Sequence, residues 1–74
     1  SVYPNPTANY LTLKIDDTKN LSYLLIDATG KVIKSNTISS EQTTIDLQDL
    51  AKAYYFVKVV NNNQLIKTFK VIKN

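Results

Sequence analysis

The sequence predicts an all-β protein, and three observations carry that expectation: apolar and polar residues alternate with period two, turn-forming residues separate the alternating runs, and no run keeps a convincing helical period. Leu11-Thr12-Leu13-Lys14-Ile15 alternates strictly, so Leu11, Leu13 and Ile15 are expected to face a core while Thr12 and Lys14 face water. Asp16-Asp17-Thr18-Lys19-Asn20 is polar and turn-like. Residues 21–27 form the second strand, where Tyr23-Leu24-Leu25-Ile26 is apolar on both faces; that continuity predicts a strand central to its sheet or covered on its outer side.

Gly30 is the single glycine of the chain and lies between two apolar runs, so it is expected at the φ > 0 position of a hairpin turn. Residues 31–36 then return antiparallel, with Ile38 a candidate extension. Residues 39–42 turn again, and residues 43–47 form a shorter strand. The stretch 47–53 is too short for an independent helix and is read as one turn that drops Leu47 and Leu50 onto the core. Residues 54–60 are the strongest strand, with Tyr55, Val57 and Val59 on one face and Lys58 on the other. Asn61-Asn62-Asn63 is a tight turn, because asparagine tolerates left-handed geometry, and residues 65–72 return from it as a hairpin partner. The whole is a small antiparallel immunoglobulin-like β-sandwich of six to seven strands, one domain over residues 1–74, in which a proline-containing segment 1–9 precedes the sandwich at 10–74.

That first segment contains both prolines. Pro4 and Pro6 each fix φ and remove a backbone donor, and the residues before them are pushed into extended geometry. Tyr3-Pro4-Asn5-Pro6 is therefore stiff and extended, able to pair only along a sheet edge, with Asn5 placed to fold its side chain onto nearby backbone.

Composition excludes several chemistries. The 74 residues contain neither cysteine nor histidine, which removes disulfides, thiolate nucleophiles, cysteine zinc sites and histidine-based triads. Net charge is +3, and every cation is a lysine; without arginine, nucleic acid is not the expected partner. No apolar run reaches the length of a transmembrane helix, and no N-terminal signal peptide is visible. The chain begins at Ser1 and not at methionine, so it is expected to be a segment of a longer polypeptide, and any export signal of the usual kind is expected elsewhere.

The residue constellations are weak as active sites. Asp16-Asp17 lacks the oxygen ligands a calcium loop needs and is expected to be a solvated turn. Asp27, Asp46 and Asp49 are placed to bond local backbone amides. Tyr23 and Tyr55 belong to strand patterns and are expected in the core. Tyr3, Tyr10 and Tyr54 are the candidates for a glycan surface. Lys67, Lys70 and Lys73 do not form a flat basic stripe, because Lys70 falls on the other strand face. No catalytic residue, cofactor or metal is expected, and the chain is read as noncatalytic.

Five blocks, in order, resemble the type A C-terminal sorting domain of type IX secretion cargo: Tyr3-Pro4-Asn5-Pro6-Thr7; Leu11-Thr12-Leu13; residues 26–33 with Asp27 and Gly30; residues 50–59 with Tyr55; and residues 67–73, ending Lys70-Val71-Ile72-Lys73. The likeness runs from end to end, with one departure, Ala53 near the place where the family usually has glycine. The resemblance implies a C-terminal signal of proteins of Bacteroidota-type bacteria. Such a signal directs a cargo domain of the same chain from the periplasm through the type IX outer-membrane translocon to the cell surface or the medium. It also implies a sortase-like surface peptidase that removes the signal near the proline segment and attaches the cargo. The sorting residues it implies are Tyr3, Pro4, Asn5, Pro6, Asp27, Gly30, Tyr55, Lys70, Val71, Ile72 and Lys73. The alternative is a noncatalytic immunoglobulin-like spacer, adhesin or glycan-binding module. Neither reading fixes the oligomeric state.

Overall fold

A computed structural model of the chain describes residues 1–4, 6, 9–16 and 19–74. Seven strands are present among them: β1 (Val2–Tyr3), β2 (Tyr10–Lys14), β3 (Leu21–Asp27), β4 (Val32–Thr37), β5 (Gln42–Asp46), β6 (Ala53–Asn61) and β7 (Gln64–Lys73). They form a three-stranded sheet in the order β1-β2-β5 and a four-stranded sheet in the order β4-β3-β6-β7, with every pairing antiparallel. The expected all-β sandwich is therefore present. Relative to the constant-type immunoglobulin arrangement, the fourth strand lies beside the third instead of joining the first sheet.

Alternation places the core. Leu11 and Leu13 of β2 and Ile45 of β5 meet Leu21, Tyr23 and Leu25 of β3, Tyr55, Val57 and Val59 of β6, and Val71 of β7, all buried between the sheets. The connection after β5 also helps close this interior: Leu47 is buried and Leu50 packs against the cluster, with the Leu50 N–H bonded to the Leu47 carbonyl at 3.1 Å. That is the single turn expected from the sequence. β2 and β5 each begin one residue earlier than the alternation places them, so Ile15 lies past its strand, half-buried against the core. Ile38 lies just beyond β4, buried, and its N–H donates to the Leu21 carbonyl at 2.9 Å.

β3 is central, between β4 and β6, which explains its two apolar faces. β1 is an edge strand, Val2 opposite Leu13 and Tyr3 opposite Thr12, so the sheet begins within the proline segment. The Tyr3-Pro4 peptide bond is cis. Pairing stops where the backbone donors do.

Positive φ falls where the sequence supplies residues that tolerate it. Gly30 (φ 93°) turns β3 into β4, and Asn62 and Asn63 (φ 49° and 71°) make the two-residue loop between β6 and β7. Two consecutive left-handed residues are the primed turn whose twist matches that of a hairpin. Among described residues, Ala53 is not one of these: it opens β6 opposite Lys73 in ordinary strand geometry. Alanine at this position thus needs no special backbone.

Leu25 is completely buried at the centre of the four-stranded sheet. Leu25→Ala is expected to cost about 2–5 kcal/mol. A chain of this length has a total stability of about 4–11 kcal/mol. The midpoint of urea unfolding should fall accordingly, and an unchanged midpoint would contradict the assigned core.

Candidate functional site

Most of the residues singled out by sequence gather at one end of the sandwich. The register sets this arrangement: Tyr10 opens β2 opposite Asp46 at the close of β5, Asp27 closes β3 opposite Tyr55, and Ala53 opens β6 opposite Lys73. The proline segment, the Asp27 hairpin, the turn at 47–52 and the end of β7 are therefore neighbours at that end. A hydrogen bond from the Leu47 N–H to the Asn9 carbonyl, 2.8 Å, ties the proline segment to the turn. Pro4 and Pro6 are exposed there, while Asn5 lies outside the described residues. Ser1 lies at the opposite end, exchanging backbone bonds of 2.7 Å with Lys14.

Asp27 organises the hairpin. Its Oδ1 accepts from the Thr29 N–H (2.9 Å), the Thr29 hydroxyl (2.7 Å) and the Lys31 N–H (3.0 Å). Its carbonyl accepts from the Gly30 N–H at 3.1 Å. The Thr29 hydroxyl, then the Lys31 N–H, hold the carboxyl below the usual aspartate range. Asp27 and Gly30 thus have a local structural task, the shaping of one turn.

Tyr55 has another. Buried at the start of β6, it donates its hydroxyl proton to the Ala51 carbonyl at 2.6 Å. This is the tyrosine corner of immunoglobulin-like sandwiches, where the sixth strand follows its corner turn. Lys73 fastens the same turn from β7, its Nζ donating to the Leu50 carbonyl at 2.9 Å. Val71 is buried opposite Tyr55, whereas Lys70 and Ile72 point outward, Lys70 with its Nζ 4.3 Å from the centre of the Tyr54 ring. The final block therefore splits by parity: Val71 and Lys73 support the fold, and Lys70 and Ile72 are presented on the surface.

β7 is an edge strand. An edge leaves a row of backbone donors and acceptors open to another chain, and lysines commonly discourage unintended pairing there. The exposed Lys67 and Lys70 and the half-buried Lys73 fit that pattern.

The glycan candidates do not converge. Tyr3 and Tyr10 lie on the outer face of the three-stranded sheet, Tyr3 across from Thr12, while Tyr54 lies on the outer face of the other sheet, separated from them by the core. The Tyr10 hydroxyl is engaged by the Gln48 amide. No group of three or more acidic side chains able to hold a metal occurs among the described residues, and Asp17 of the acidic pair lies outside them. Concavities also occur among the described residues. One, of about 390 Å³, lies beside Ile15, Leu21, Val59 and Ile66 with Lys19 and Lys67 at its rim. A second, of about 340 Å³, opens on the outer face of the four-stranded sheet over Ile26 and Phe56. Alternation alone gave no signal for the second; the clue was the apolar outer parity of residues 24 and 26.

The architecture is that of a small immunoglobulin-like sandwich whose marked residues shape turns and edges. The family model of the secretion system C-terminal sorting domain matches residues 1–74, the whole chain, and the protein belongs to that family. It is a C-terminal sorting signal for type IX secretion, a role that implies a translocon and export toward the cell surface or extracellular space. None of the curated proteins and none of the solved structures compared with it matches.

Two expectations follow from the turn geometry. Because the folded Asp27 carboxyl titrates below its unfolded value, its stabilising contribution is fully present above the ordinary aspartate range and is lost as pH falls through the lower, folded value. In urea unfolding at a series of pH values, the parent should lose more stability on acidification than Asp27→Asn; parallel curves would refute the assignment. Tyr55→Phe leaves the Ala51 carbonyl without its donor and is expected to cost about 1–2 kcal/mol. Equal stability of the two proteins would show that water replaces the hydroxyl at no cost.

Proposed function

We propose that this domain carries a cargo of the same chain, already in the periplasm, to the type IX outer-membrane translocon. A sortase-like surface peptidase then removes the domain and attaches the cargo at the surface. The observation that carries the reading is the match of the sorting-domain family over the whole chain. The domain itself is read as noncatalytic, a folded label acted on by others.

The structure supports specific parts for the two ends of the motif set. Pro4 and Pro6, exposed beyond the last ladder residue Tyr3, restrict the backbone at the junction and offer no amide donors for pairing, and we read them as the feature a peptidase meets there. At the other terminus the open edge of β7 can be read by strand addition, with the outward side chains Lys70 and Ile72 giving specificity. Val71 and Lys73 act on recognition indirectly, through the position of that edge. Tyr55 likewise serves sorting by holding the turn before β6, and Asp27 and Gly30 by holding the β3–β4 hairpin at the same end of the sandwich.

The test is a reporter directed to the periplasm and carrying residues 1–74 at its C-terminus, expressed with and without a working translocon. Delivery to the surface or medium should require the translocon. Replacing both prolines by alanine should leave delivery intact while changing processing at the junction, and deleting residues 70–74 should abolish delivery. Placing the folded domain in mid-chain separates the readings: a sorting signal fails there, while a spacer or adhesin module works equally well.

A further inference from the structure

The two outer faces of the sandwich differ in chemistry. On the three-stranded sheet the outward positions carry Tyr10, Thr12 and Lys14 opposite Asp46, Thr44 and Gln42. On the four-stranded sheet the outward row running across the strands is Val32, Ile26, Phe56 and Lys70, with Tyr54 and Ile72 paired beside it. Outward faces of antiparallel sheets in water are ordinarily polar. Here Val32 is 49 %, Tyr54 52 % and Ile72 37 % exposed, so apolar surface is spread across three strands. Such a patch marks an interaction site more often than an accident of composition.

The patch has shape and charge. A concavity of about 340 Å³ is floored by Ile26 and Phe56, walled on one side by the hairpin at Asp27, Ala28 and Gly30, and on the other by Lys58 and Thr68. Both charged residues that the four strands place on this face are lysines, Lys58 paired with Leu24 and Thr68, and Lys70 beside Phe56. The nearest carboxylate on the concavity wall, Asp27, spends Oδ1 on its own turn. A second copy laid face to face would set Lys58 and Lys70 against the same lysines, with the turn-bound Asp27 at the wall as the one acid, which electrostatic complementarity disfavours.

We propose that the outer face of the four-stranded sheet docks a partner protein through an apolar side chain seated over Ile26 and Phe56 and flanked by carboxylates that meet Lys58 and Lys70. This rests on the sorting reading, for which it supplies a recognition face adjoining the β7 edge, with Lys70 common to both. The apolar floor provides affinity, and the lysines orient the approach and exclude cationic surfaces.

The experiment places a photoreactive side chain at Thr68, or at Thr44 on the opposite face, in the periplasmic reporter fused to residues 1–74. Illumination should yield an adduct with a second protein from position 68 and not from 44. The attached peptide should carry Asp or Glu beside the crosslinked apolar residue. Lys58→Glu with Lys70→Glu should reduce the adduct about tenfold, and the matching glutamine pair should reduce it less. If charge reversal lowers the unfolding midpoint, Val32→Asp at the half-exposed rim takes its place. No adduct at 68, an adduct of two copies, or an adduct indifferent to charge reversal and to Val32→Asp overturns the proposal. Loss of export with the adduct retained instead counts against the export reading alone.

Discussion

The register of β6 between β3 and β7 is the constraint on which the rest depends. Because side chains alternate along a strand, one residue of slip would turn Tyr55, Val57 and Val59 out to water and bring Phe56 and Lys58 in. Burying Lys58 without a partner would cost far more than the exchange of apolar groups gains. The tyrosine corner and the Asn62-Asn63 loop fix the two ends of the strand, so the slip is opposed locally as well as by the core. With β6 in place, Asp27 stands opposite Tyr55 and Tyr55 opposite Val71, and the marked residues at that end follow from one row of pairing.

A core this small explains why so much of the motif set is structural. With 74 residues and no disulfide, turn chemistry has to do a share of the specification that a larger interior would do by packing. Asp27, Gly30, Tyr55 and Lys73 each satisfy or shape backbone at a corner. These local tasks account for them without making them contacts of a receptor. What Tyr55 and Lys73 secure is the approach to β6 and the end of β7, while Asp27 and Gly30 secure the β3–β4 hairpin.

The alternation at 11–15 and 54–60 made the inward residues legible, and Gly30 and the asparagines made the turns legible, because each signal is local. The pairing of the fourth strand with the third was readable from the Gly30 hairpin, but the division of the strands into β1-β2-β5 and β4-β3-β6-β7 was not, since sheet membership depends on how the layers close. The tyrosine corner was equally hidden: Tyr55 was placed in the core by its parity, but a hydroxyl reaching back to Ala51 requires the fold of the turn between them. The split of Tyr3 and Tyr10 from Tyr54 across two sheets is likewise a fact of topology and not of spacing.

The strand β7 serves the core and the surface together. β7 has one ladder partner, β6, and through Val71 and Lys73 it helps close the core and the corner turn. A chain lacking this strand therefore loses part of its fold together with its edge, and a translocon that reads the β7 edge and the adjoining face reads completion of the sandwich at the same time. The parity within Lys70-Val71-Ile72-Lys73 separates the two functions physically: substitutions at 71 and 73 act through stability, whereas those at 70 and 72 alter the presented surface with the core left in place. The surface that Lys70 and Ile72 present is thus in place only when β7 has paired with β6.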